Sequence, residues 1–223
     1  MAEAGHSSNK LHFQLDRISF FTDGVFAIAI TLLVIEFKVP IIEHPTDALL
    51  WDRLVHMGLL LLGFLISFCI VGYYWSVHHR IFGYVEKYTS RLIWLNLMFL
   101  FSVVLLPFTS GLLGEYASET ALRLPYGIYV VNICFTAMMN AILWFYVSNP
   151  KHKILTHVIS RERILLGFYY TLVVPILFVI SFIVTYYDAT IGRLIPILIP
   201  FVLKYGMTGL SARASLNEQK NKC

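Results

Sequence analysis

Long uncharged runs alternate with short charged connections along this chain. Between Arg53 and Arg80, Arg91 and Glu115, Arg123 and Lys151, and Arg163 and Asp188, the uncharged stretches run 26, 23, 27 and 24 residues. At about 1.5 Å of helical rise per residue, each is long enough to cross about 30 Å of hydrocarbon. Two further apolar runs are interrupted. Residues 19–38 carry Asp23 near the start and Glu36 near the end, and residues 190–210 contain Lys204, Pro196 and Pro200. Both are read as spans, the last one bent or opened by its prolines. The pattern therefore predicts an all-α membrane protein of six transmembrane helices, at about 19–38, 54–77, 92–113, 124–147, 164–187 and 190–210. These make one domain over residues 17–210, between polar tails at 1–16 and 211–223.

Composition agrees. The 223 residues are 58% hydrophobic and only 13% charged, with a mean hydropathy of +0.72. A soluble domain carries roughly 25% charged residues, so an ordinary globular protein is excluded. The net charge of +4 could suggest nucleic acid, but the basic residues sit in short segments between apolar runs, where they orient a membrane protein. With both termini cytoplasmic, the inner loops and tails hold 13 Lys and Arg, and the outer set holds Lys38, Arg53, Arg123 and Arg193. That is a positive-inside bias and predicts a multi-pass protein of the cell membrane. The outer loops carry Glu43, Asp47, Asp52, Glu115, Glu119 and Asp188, which form either a cation-attracting rim or an ordinary wet surface.

Three cysteines, Cys69, Cys134 and Cys223, show no metal or redox spacing. The polar N-terminal residues precede an apolar run without an A-x-A-like site, so no cleaved leader is expected. There is no glycine-rich phosphate loop and no internal match between the halves, and the short connections leave no space for an ATPase or an extramembrane enzyme. No cofactor, catalytic group, metal site, nucleic acid or soluble protein partner is expected.

The first span carries the chemistry. Asp23 is flanked by apolar sequence on both sides, and such a carboxylate is costly unless it is paired or wetted. Arg17, six positions earlier, and Trp75, His78 and His79 at the corresponding end of the second span are candidate partners in a polar network. Helix capping by Thr22 or Asp23 is the plainer alternative. Adjacent histidines point about 100° apart on a helix and lack a carboxylate cluster, so a structural role fits His78 and His79 better than metal binding. Further along, Gly24, Ile28, Thr31, Leu32 and Ile35 fall within roughly 100° of one another. This stripe is either a packing seam, with the Thr31 hydroxyl returned to a backbone carbonyl, or the lining of a symmetric axis. Pro107 and Pro175 fall inside spans three and five, and Trp51, Trp75, Trp94, Trp144, Tyr73 and Tyr74 read as an interfacial belt.

The segment RISFFTDGVFAIAITLLVIE at residues 17–36, together with WSVHHRIF at 75–82, resembles the prokaryotic branch of the TMEM175-type potassium channel family. That family's motif places an arginine shortly before a Phe-Ser-Asp triplet; here Phe21, Thr22 and Asp23 stand in its place, with threonine keeping the hydroxyl and adding a methyl. The resemblance implies a homotetrameric, passive potassium channel without a Thr-Val-Gly-Tyr-Gly filter, lined by the first helix of each subunit and bathed in membrane lipid. It assigns the constriction to Ile28, the cation-preferring layer to Thr31 and further lining positions to Leu32 and Ile35. Arg17, Phe21, Thr22 and Asp23, with His78 and His79, become the motif network that fixes the pore helix. An alkyl ring supplies no field that favours potassium over sodium, so only modest selectivity over sodium is expected. The competing function is an ion- or proton-coupled secondary transporter using Asp23 and the His78/His79 region.

Overall fold

The computed structural model describes residues 2–36, 39–116, 119, 121–155 and 159–205, the side chains of 2–13 and 59 excepted. Among these residues seven α-helices have both ends described: α1 (Ala2–Ile35), α2 (Asp47–His56), α3 (Gly58–Phe82), α4 (Ser90–Glu115), α5 (Leu124–Ser148), α6 (Arg161–Val184) and α7 (Ala189–Leu194). Their starts are written in the sequence. Thr46, Thr89 and Ser160 accept hydrogen bonds from the backbone N–H three residues on, and Asp188 accepts from both Thr190 and Ile191. These side chains satisfy amide groups that the first helical turn leaves without partners.

Five helices among the described residues are long and apolar enough to span: Gln14–Ile35, Leu60–Phe82, Ser90–Glu115, Leu124–Ser148 and Arg161–Val184. The expected sixth transmembrane helix at 190–210 is not one of them. The six-residue α7 gives way to a 3₁₀ segment at Ile195–Leu198, and helix resumes only over 199–205. Pro196 and Pro200 supply no backbone N–H, and their rings crowd the preceding turn, which interrupts the ladder at the 3₁₀ segment and leaves Pro200 in the first turn of the helix that resumes. The rest of that run, 206–210, and the expected tail at 211–223 lie outside the described residues. The N-terminal part of the second expected span is also separate, because α2 ends at His56 and buries no residue.

Helix α4 is the centre of the bundle and packs against α1, α3 and α5; α6 lies against α5 and carries α7. One core cluster joins Phe26, Ala29 and Leu33 of α1 to Val71 and Tyr74 of α3, Phe99 and Val103 of α4 and Phe178 of α6. A second, at the end where α3 and α5 finish, gathers Val77, Ile81, Leu92, Leu143, Trp144 and Ile154. Between helices, the interior also holds hydroxyl and amide side chains, while Phe108, Val131, Phe145 and Ile176 face outward. That inversion suits a lipid exterior, where small polar side chains bind helix to helix.

Pro107 and Pro175 remain inside α4 and α6. The Asn132 amide, oriented so that both its atoms are satisfied, donates to the Ser102 carbonyl at 3.1 Å and accepts from the Leu106 N–H at 3.2 Å. It thus feeds the backbone groups in the turn before Pro107, as a neighbouring helix must where no water reaches. Two aromatics read as interfacial prove internal: Tyr74 is buried, and buried Trp144 donates its indole N–H to the Ile164 carbonyl at 2.9 Å.

Candidate functional site

At 100° per residue, Thr22, Phe26, Ala29 and Leu33 lie within about 60° of one another on α1. These four are the buried seam of the helix, packed on α3 and α4. Gly24, Ile28, Thr31 and Ile35 centre on the opposite side, with Leu32 flanking them. All five are exposed, Ile28 and Ile35 at 61% and 68%. The subunit thus presents the stripe outward and does not use it as its own packing seam. The Thr31 hydroxyl is turned back, 3.0 Å from the Ala27 carbonyl and 2.9 Å from that of Ile28. Its single proton is committed to the backbone, which leaves the oxygen lone pairs directed away from it.

At the N-terminal end of the spanning part of α1, two contacts tie the helix down. The Trp75 indole N–H donates to Asp23 Oδ1 at 2.9 Å. On the buried side, Asn96 Nδ2 donates to Thr22 Oγ1 at 2.9 Å, and Asn96 Oδ1 accepts from His78 Nε2 at 2.7 Å. The acceptor at Asn96 Oδ1 requires the proton on His78 Nε2. His78 is sandwiched between rings, parallel to Phe99 at 5.1 Å and stacked on Phe82 at 4.3 Å. The structure therefore joins Thr22, Asp23, Trp75 and His78 at one level.

It does not join the two histidines. His79 is exposed and stacks on Trp75, 5.7 Å between centroids. Arg17 and Phe21 are exposed on α1. Asn96, the centre of the chain from α1 through α4 to α3, was not picked out by the sequence reading; its signal was a lone amide inside an apolar span, a type that usually bonds across helices. Among the described residues no group of three or more His, Cys, Asp or Glu is placed to hold a metal ion.

The comparisons extend this picture. Residues 17–107 match the family described as "Endosomal/lysosomal potassium channel TMEM175". A protein of Streptomyces collinus named as a potassium channel is 34% identical over 61% of this chain and 66% of its own length. One from a Chryseobacterium species, also named as a potassium channel, is 32% identical over 69% of this chain and 78% of its own. The alignment with the Streptomyces protein thus spans just under two thirds of that relative. Among solved structures, a TMEM175 homologue from Chamaesiphon minutus, titled a lysosomal potassium-selective channel homologue, superposes with a TM-score of 0.71. It is 28% identical, and the match covers 86% of this chain and 97% of that one. With the motif network, the helical bundle and these matches in agreement, the chain belongs to the TMEM175 family.

Proposed function

We propose that the protein is a passive potassium channel, modestly selective over sodium, formed by four copies that set α1 around a common axis. The observation that carries this reading is the division of α1: its seam is fully used inside the subunit, and Ile28, Thr31, Leu32 and Ile35 are left outside it. The potassium channels among its relatives support the assignment of the ion. Four Ile28 side chains on an axis form a constriction that excludes hydrated ions by dewetting, and a ring of Thr31 oxygens replaces part of the hydration shell. Because each Thr31 proton is held by its own backbone, the hydroxyl meets a cation as an acceptor. Asp23, Trp75, Asn96, Thr22 and His78 hold the pore helix in register and do not touch the ion. Positive-inside bias places the end carrying Arg80, Lys87, Arg91, Lys151, Lys153, Arg161 and Arg163 in the cytoplasm.

The test is a planar-bilayer recording of the purified protein under a potassium/sodium gradient. Unitary currents with a potassium-biased reversal potential are expected, and Thr31→Ala moves that potential toward zero. Saturable flux coupled to a second ion, without unitary current, would refute the channel and favour a carrier centred on Asp23.

A further inference from the structure

Helices α5 and α6 leave a groove of about 590 Å³, lined by those two helices alone, whereas α1 packs on α3 and α4. None of the described residues that line it is charged or carries a hydroxyl or an amide. Ala137 and Ala141, one turn apart on α5, each put only a methyl group into it. Exposed Met138 and Phe145 stand on the α5 side, and exposed Leu172 and Ile176 on the α6 side.

The register of the two helices decides where this groove opens. The Trp144 indole bonds to the Ile164 carbonyl, which sets the next residue, Phe145, level with the first turn of α6. From that level to Ile180 the groove runs about 24 Å at the rise of a helix. The hydrocarbon of one leaflet is half of about 30 Å, so an extended acyl chain entering beside Phe145 stays in the groove for the whole depth of its leaflet.

Charge marks the same end. At 100° per residue, Arg161, Phe168, Leu172 and Val179 fall within about 40° of one another, so exposed Arg161 continues the groove face of α6, with exposed Leu165 one turn on. Glu162 points 100° away around the helix, and Lys151, Lys153 and Arg163 leave this end net positive. A guanidinium pairs with a phosphate through two parallel N–H bonds, and basic residues at the ends of spanning helices attract anionic headgroups. The apolar trough and the cation therefore stand in the order of a lipid's chain and headgroup.

We propose that the α5–α6 groove binds an anionic phospholipid of the adjacent leaflet, with one acyl chain against Ala137 and Ala141 and the phosphate held by Arg161. The positive-inside distribution makes that leaflet the cytoplasmic one. The site lies within one subunit, so it is independent of how the pore assembles.

Native mass spectrometry of the full chain released from detergent tests it, with palmitoyl-oleoyl phosphatidylglycerol or phosphatidylcholine added in turn, two lipids that share their chains and differ in charge. Wild type is expected to retain phosphatidylglycerol about 5-fold better, the effect of one basic group at a membrane surface. Arg161→Gln removes that preference, whereas Arg163→Gln, deleting the same charge about 160° away around α6, keeps most of it. Ala141→Leu and, from the other wall, Ile176→Trp fill the groove and lower retention of both lipids, a wild-type melting profile showing each variant to be folded. Four results would overturn the proposal. These are equal retention of the two lipids by wild type, equal loss of preference in Arg161→Gln and Arg163→Gln, unchanged retention in the folded filled variants, and loss of subunit association in those variants without loss of lipid, which would seat another copy of the chain on this face.

Discussion

Asn96 carries two helix contacts on one amide, and its removal strands both partners. Replacing it with leucine, of similar size, leaves the Thr22 oxygen and His78 Nε2 without the bonds they make in the buried seam. Each unsatisfied buried group costs about 1–3 kcal/mol, so Asn96→Leu is expected to lower the melting temperature of the detergent-solubilised protein clearly. Trp75→Phe removes a bond between more exposed groups and costs less, which the same melting series checks. At this scale the sequence displayed the need and only part of the answer. Asp23 required a partner, and Trp75 stood among the candidates; His78 and His79 were indistinguishable by type, and only the rotation of α3 buries one and exposes the other. Asn96 lies 74 residues from Thr22 in sequence, and the register between helices is set by packing that no local pattern contains.

Helix contacts depend on where backbones approach closely. A Cβ on Gly167 would stand 2.4 Å from the Trp144 ring, whereas one on Gly72 would meet nothing within 4 Å. Gly167→Ala must push α6 from α5 or turn a buried indole out of its bond to Ile164, at a cost of about 1–3 kcal/mol. Gly72→Ala is expected to melt at or slightly above wild type, since alanine favours helix. The melting midpoints of the two variants decide between them. The spans themselves were readable at this scale because charges cannot enter hydrocarbon unpaired, and four uncharged stretches of 23 to 27 residues leave little choice. The last run misled because hydropathy registers apolar length and not continuity. Residues 190–210 are apolar enough, yet α7 passes into a 3₁₀ turn at Ile195–Leu198, where the hydrogen-bonding limits of proline override composition.

For the whole molecule, the two faces of α1 are what the proposed assembly of four copies rests on. The chain spends Thr22, Phe26, Ala29 and Leu33 on its own core and displays Ile28, Thr31 and Ile35, the face that the proposed tetramer sets around its axis. Native mass spectrometry from detergent is expected to give a species of four 25.6 kDa chains, and a persistent monomer would remove the axis on which the pore reading depends. The stripe was visible as periodicity, but its direction was not: a single helix pattern reads equally as a seam or a lining until the neighbours are in place. The most direct measurement is cysteine accessibility in a channel whose Cys69, Cys134 and Cys223 are replaced by serine. A thiol reagent carrying a positive charge is predicted to block potassium current through Thr31→Cys, on the displayed face, and to leave Ala29→Cys, in the buried seam, unaffected. Block at Ala29→Cys with none at Thr31→Cys would contradict a pore lined by this face of α1.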